Sequence, residues 1–308
     1  MHNGGMPAID PTLLHRELDD WFAREGRDLP WRRPDCSPWG VLVSEIMLQQ
    51  TPVARVLPRW IDWLIRWPTP ADLANAPTDE VLRAWDRLGY PRRALRLAEC
   101  ARAIVDQHGG MVPRDEDALR SLPGIGEYTA AAVVAFAFGG RSTVLDTNVR
   151  RVLARGVGGE ALPRPHLTTA ERQRAGALVP EDPAAAARWA AATMELGALV
   201  CTARNPACDR CPIAGQCAWL AAGKPADAHA VVRRTQAWHG TDRQVRGQIM
   251  RELRAADRVG RSRLLSATTA GSAQFDRALE SLVHDGLAVE WASPDDEPQY
   301  SLPAARTR

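Results

Sequence analysis

The sequence predicts a mainly α-helical protein that ends in a small α+β unit, and three observations carry that expectation. Apolar residues recur at intervals of three and four from Leu13 to Val200, the spacing that lines one face of a helix. No stretch in the first 220 residues alternates apolar and polar as a half-buried strand would. After Cys217 the composition changes, and two amphipathic helical segments are followed by two short β-prone runs.

Taken in order, residues 11–26 place Leu13, Leu14, Leu18, Trp21 and Phe22 on one face among charges, as a packing helix does. Two prolines then bracket Trp31, Arg32 and Arg33 and break the pattern. Residues 38–52, PWGVLVSEIMLQQTP, read as an apolar helix with one carboxylate, Glu45. Val41, Leu42, Ile46 and Leu48 leave that carboxylate little room on a solvent face, so it is expected to be buried. Residues 53–109 are helical, punctuated by turns at Trp67-Pro68-Thr69-Pro70, Ala76-Pro77-Thr78 and Gly89-Tyr90-Pro91. Arginines 92, 93, 96 and 102 follow Pro91 and form either a solvated face or a phosphate-facing edge.

Leu122-Pro123-Gly124-Ile125-Gly126 reads as a tight turn, because its two glycines allow a sharp bend and a close approach to a partner. Residues 127–138 are helical in composition, so amides from the turn and the new helix point outward together and make a phosphate site. Asp146 follows Thr143-Val144-Leu145 and precedes a basic segment, residues 148–155, whose helix it can also cap. A phosphate cradle followed by a fixed carboxylate implies chemistry on a nucleic acid. Helices continue, broken at residues 156–165, and the last runs over residues 184–200 into a cysteine cluster. Residues 224–235 read as a linker. Beyond it, two helices carrying Val245, Ile249 and Leu253, then Phe275, Leu279 and Leu282, precede a hairpin of residues 287–291 and 300–302, a winged-helix-like order.

A net charge of +2 is too small an excess to argue for nucleic acid by itself, so the placement of charge must carry that case. No apolar run approaches a membrane span, and MHNGGMPAID lacks the basic and apolar regions of a signal peptide; a cytosolic location is expected. In that compartment Cys201, Cys208, Cys211 and Cys217, spaced C-x6-C-x2-C-x5-C, form a metal site sooner than a disulfide framework. Four thiolates suit either a cubane cluster or a tetrahedral zinc, and the spacing alone leaves that choice open.

Four blocks now stand in one order: Ser44-Glu45-Ile46-Met47-Leu48-Gln49-Gln50-Thr51, the LPGIG turn, Val144-Leu145-Asp146-Thr147-Asn148-Val149 and the cysteine cluster. Together they resemble the helix-hairpin-helix DNA glycosylases of the endonuclease III branch, and SEIMLQQT with LPWR resembles the MutY-type adenine DNA glycosylases within it. The resemblance covers residues 10–220. It implies a two-lobed helix-hairpin-helix fold with an iron-sulfur loop, a [4Fe-4S] cluster on the four cysteines, and double-stranded DNA with a mispaired adenine as substrate. It implies no nucleotide cofactor and no membrane, and one active site per chain makes a monomer sufficient. The expected domains are residues 1–28 as the N-terminal part of the cluster lobe, 29–137 as a six-helix domain with the hairpin, 138–222 as the cluster lobe, and 236–308 as the small C-terminal unit.

By the same resemblance Glu45 is the general acid that protonates the flipped adenine, a role that a pKa raised by burial would serve. Asp146 stabilises the oxocarbenium-like sugar and Asn148 supports the acid. Trp31, Arg32, Leu48, Tyr128 and Glu195 match the adenine pocket. Gln49, Gln50, Thr51 and Tyr90 match contacts to the opposite base, with Gln50 as a wedge in the vacated stack. Leu122, Gly124, Ile125 and Gly126 match the phosphate-binding hairpin. Tyr128 stands where strand-cutting relatives carry a Schiff-base lysine, and the one lysine in the chain is Lys224, so hydrolysis without a lyase step is expected. Two rivals stay open: a thymine or uracil glycosylase acting on mismatches with guanine, and a non-catalytic iron-sulfur DNA-binding sensor.

Two departures from the family pattern matter. Its usual Gly-Tyr-Tyr is here Gly89-Tyr90-Pro91, and residues 236–308 show neither the length nor the mixed pattern of its usual lesion-sensing domain. A weaker preference for adenine opposite 8-oxoguanine is therefore expected.

Overall fold

The structure, a computed structural model, describes residues 9–230, 238–292 and 297–304. The end of the linker read at residues 224–235 lies outside the described residues. In chain order the helices begin with α1 (Pro11–Glu25), α2 (Pro38–Leu48), α3 (Val53–Arg66), α4 (Pro70–Ala74), α5 (Thr78–Trp85) and α6 (Arg92–His108). They continue with α7 (Glu116–Ser121), α8 (Glu127–Phe138), α9 (Thr147–Gly156), α10 (Thr169–Ala177), α11 (Pro183–Leu199) and α12 (Ala218–Ala221). The C-terminal region holds α13 (Asp242–Ala255), β1 (Val259–Gly260), α14 (Arg261–Ser266), α15 (Ser272–His284), β2 (Val289–Trp291) and β3 (Gln299–Ser301). The first 220 residues contain no strand among those described, and no described helix is long and apolar enough to cross a membrane.

Contacts divide the chain into two compact units, Met1–Val41 with Arg114–Asp117 and Gly126–Arg234, and Leu42–Pro113 with Ala118–Ile125 and Thr235–Arg308. This division differs from the four domains expected above, since the span 29–137 is shared between both units. In the first unit Leu14, Leu18 and Trp21 of α1 pack with Val149 and Val152 of α9 and with Trp189 and Leu196 of α11. Asp10 starts α1 by accepting from the Thr12 and Leu13 amides, as an N-cap carboxylate does. Helix α8 is apolar almost all round, and Ala131, Ala132 and Ala135 are buried with Val144 and Ala190.

The second unit buries Trp63, Trp85, Leu73, Leu82 and Leu97, with the Trp63 and Trp85 rings edge-on at 5.6 Å. Its C-terminal part is built as the sequence predicts, with Val245, Ile249 and Leu253 of α13 buried alongside Phe275, Leu279 and Leu282 of α15. The sheet is antiparallel in the order β1-β3-β2, with Tyr300 paired to both Val259 and Glu290. Strand β1 and helix α14 were not foreseen, because a two-residue strand carries no period to read. Arg83 of α5 ties this part to the helical layer by donating to the Arg254 and Ala256 carbonyls, and Arg254 returns a bond to Leu82 O at 3.1 Å.

Candidate active site

In the second unit α2 places Glu45 as expected: its residue is 5% exposed, between fully buried Ser44 and Met47. The helix stops at Leu48, which is half-buried, as is Gln49. Gln50 is exposed with φ +56°, a left-handed backbone that costs a non-glycine residue energy and marks positions held for a purpose. Tyr90, in the neighbouring loop, has φ +46° and is 37% exposed. Thr51 points inward instead: its hydroxyl donates to Leu88 O at 3.0 Å and accepts from Arg93.

Arg93 is one of the four arginines the sequence left undecided between a solvated and a phosphate-facing edge, and it is neither. Its guanidinium caps α2 through Ile46 O (2.7 Å) and Met47 O (3.1 Å) and also reaches Leu88 O and Gly89 O at 3.2 Å. Burial lowers its pKa to about 10. One side chain thus satisfies orphan carbonyls at a helix end and joins the Gln50 and Tyr90 loops. Along the hairpin turn, Leu122 and Ile125 are buried while Gly124 and Gly126 are exposed. Gly124 has φ +78°, and a Cβ there would meet Arg96 Cβ at 3.0 Å, so the sharp bend requires glycine.

In the first unit Asp146 caps α9. One carboxylate oxygen accepts from Val149 N at 2.6 Å and the other from Asn148 Nδ2 at 2.7 Å. Burial pushes its pKa up, and the bonds to Val149 and Asn148 and the charge of Arg151 oppose that rise without cancelling it. Asn148 Oδ1 accepts from Arg151 at 2.8 Å, and Arg151 also donates to Gly197 O and to Cys201 O. A hydrogen-bonded chain therefore runs from the backbone of Cys201 to the Asp146 carboxylate. Gly197 lets the two helices meet: a Cβ there would lie 2.7 Å from Asn148 Cβ and 2.9 Å from Asn148 O. Gly197→Ala is expected to destabilise the protein by about 1–3 kcal/mol and to lower excision by displacing Asn148, checked by thermal denaturation and single-turnover assay.

Glu195, expected in the base pocket, is fully buried and held by Arg27 Nε at 2.6 Å and Arg32 Nη2 at 2.8 Å. The bonds from Arg27 and Arg32 outweigh the burial that would raise its pKa and bring it to about 2. Trp31 is 5% exposed. Tyr128 is half-buried against the α8 alanine cluster.

The four cysteines line one apolar cavity with Val200, Pro206 and Trp219, and none forms a disulfide. Burial first, then its three neighbours as thiolates, push the Cys211 thiol up to about 12. Four such thiolates cannot coexist without cationic charge among them, which fits a metal centre. Arg155, 3% exposed, donates to Cys201 Sγ at 3.4 Å and stacks on Trp219 at 4.7 Å. The basic run at 148–155 is thus partly interior: Arg151 and Arg155 hold the cysteine loop.

Over 276 residues the chain is 53% identical to the adenine DNA glycosylase of Mycobacterium tuberculosis, covering 87% of this chain and 88% of the relative. The chain belongs to the adenine DNA glycosylase family. The Mycolicibacterium smegmatis adenine DNA glycosylase is 51% identical over 90% of the chain and 92% of its own length. Residues 43–177 match the HhH-GPD superfamily of base excision DNA repair proteins, and residues 201–217 match the iron-sulfur binding domain of endonuclease III. A solved thermostable thymine-DNA glycosylase superposes with TM-score 0.63 at 29% identity, covering 69% of this chain and 97% of that one. For an adenine DNA glycosylase, sequence reasoning missed Arg27, Arg93, Arg151 and Arg155. Each is an arginine that commits its guanidinium mainly to backbone carbonyls or to a distant carboxylate, and the residue type alone carries no signal of that.

Proposed function

We propose that the chain removes adenine mispaired with 8-oxoguanine or guanine from double-stranded DNA, by hydrolysis of the N-glycosidic bond without strand cutting. The observation that carries this reading is the 53% identity to an adenine DNA glycosylase over 87% of the chain. Glu45 serves as the general acid: α2 holds its carboxyl at 5% exposure, away from bulk water, as a proton donor to an extruded base requires. Asp146 serves as the anion beneath the sugar. Val149 N and Asn148 fix its carboxylate while burial still raises its pKa, so the anion is poorly solvated and a cation developing on the sugar beside it is strongly stabilised. Water completes the hydrolysis. The amides at Gly124 and Gly126 position the DNA through its phosphates and read no sequence.

The four thiolates hold the [4Fe-4S] cluster, which supplies a covalent staple for the loop that carries Cys201 O to Arg151. The chain acts as a nucleoid-associated cytoplasmic monomer. In single-turnover assays followed by alkali, adenine duplexes are expected to yield abasic sites, and borohydride is expected to trap no covalent adduct, since Tyr128 offers no amine. Release of thymine but not adenine, in competition between mispairs with guanine, would overturn the reading in favour of the thymine enzymes. Binding without any abasic product would leave the sensor.

A further inference from the structure

In the second unit helix α6 passes the hairpin turn, and one of its side chains lies along the turn's exposed glycine. A Cβ placed at Gly124 would stand 3.0 Å from Arg96 Cβ, 3.6 Å from its Cγ and 3.9 Å from its Cδ. The stem of Arg96 therefore runs past a stretch of backbone that has no side chain of its own to shield it. Leu122 and Ile125, on either side of that glycine, are buried. A stem packed in this way aims a guanidinium at the turn while leaving it free to choose a partner, and 56% of the Arg96 side chain stays exposed.

The second observation is the partner it has chosen. Arg96 Nη1 donates to Glu99 Oε2 at 2.9 Å within α6, and the Glu99 side chain is 42% exposed. An exposed pair three residues apart on one helix is weakly held, so a better anion can take the guanidinium from it. The other arginines of α6 differ. Arg92 pairs with Asp285 and Arg93 is bound to carbonyls, whereas Arg102 is exposed and has no ion pair among the described residues. Arg102 stands three residues beyond Glu99, as Arg96 stands three before it, so Glu99 has a second guanidinium within reach when the first departs.

We propose that Arg96 binds the DNA phosphate received by the hairpin turn, and that Glu99 is a built-in competitor for the same guanidinium. In the free protein Arg96 is held by Glu99. On a duplex it transfers to the phosphate beside Gly124, whose oxygens match the planar fork, and Glu99 turns to Arg102. As the duplex leaves, the carboxylate takes the guanidinium back, so Glu99 weakens the contact and speeds release. The proposal rests on the adenine-excision reading above, because the phosphate at Gly124 belongs to that reading.

The test measures binding of the full-length protein, over a range of salt, to a duplex with a tetrahydrofuran abasic analogue in place of the adenosine, so that nothing is cleaved. Arg96→Ala is expected to make the dependence of log affinity on log salt shallower by about 0.9, so that its deficit shrinks about eightfold for each tenfold rise in salt. Arg96→Met, which keeps the packed stem without the charge, is expected to match the alanine variant, and Arg96→Lys to keep the wild-type slope. Glu99→Gln is expected to bind about threefold more tightly and to dissociate about threefold more slowly, with no such gain when residue 96 is already alanine. An unchanged slope in Arg96→Ala, or wild-type binding by Arg96→Met, would overturn the phosphate contact. An equal gain from Glu99→Gln in both backgrounds would overturn the competition, because the carboxylate would then only repel the duplex. Failure of the wild type to release adenine overturns the excision reading instead, and the two failures are read in separate assays.

Discussion

Asp146→Asn is expected to reduce single-turnover release of adenine about 10³-fold while raising the melting temperature at neutral pH. Asparagine keeps the cap on α9, since it is as good an N-cap as aspartate, but it removes the anion that answers the developing sugar cation. The stability gain follows from the raised pKa. Between the ordinary carboxylate value and the higher folded value, the native state binds more protons than the unfolded chain, so wild-type stability falls as pH rises through that window. Above the window the penalty is fully present, and the variant escapes it; below the ordinary value the two proteins should melt alike. Melting curves from pH 3 to 8 test this, and an Asp146→Asn protein that is no more stable at pH 8 than at pH 3, relative to wild type, contradicts it. Glu45→Gln is expected to lose about 10²–10⁴-fold in release.

Glu195→Ala is expected to be the most destabilising single change, at about 3 kcal/mol. Breaking a buried ion pair costs roughly 3–5 kcal/mol because charges are left uncompensated. The lower end applies because Arg27 and Arg32 retain side-chain exposures of 35% and 22% and can turn toward water. The pH dependence has the opposite sign to that of Asp146. Glu195 titrates near 2 in the folded protein, so its contribution is present above the unfolded value of 4.5 and is lost as pH falls from there toward 2. Chemical denaturation at pH 7 and pH 3 should therefore show a wide gap between wild type and Glu195→Ala at pH 7 and a narrower one at pH 3.

Much of this protein is legible from its residues because the signals are local. The helical period gives α1, α2 and α6, glycines give the turn at 122–126, and the crowding of Val41, Leu42 and Ile46 around Glu45 gives its burial. The capping role of Asp146 is equally local, since it is settled within three residues. Arginine is where local reading fails. Local spacing leaves Arg93 open between a solvated and a phosphate-facing edge, and places Arg151 and Arg155 only within a basic segment, yet each is drawn inward to carbonyl oxygens that helix ends and loops leave without partners.

The sequence by itself determined the helical class, the family blocks and the side chains available for chemistry, because each depends on residue type and short spacing. Only the tertiary structure decided which charges are spent inside and which face a ligand. Thr51 turns inward onto Leu88 O, Glu195 is locked between two arginines, and Arg243 reaches a tyrosine far away in the chain. The physical reason is that a charge or hydroxyl is satisfied by whatever the fold brings within about 3–5 Å, and that partner is seldom a neighbour in sequence.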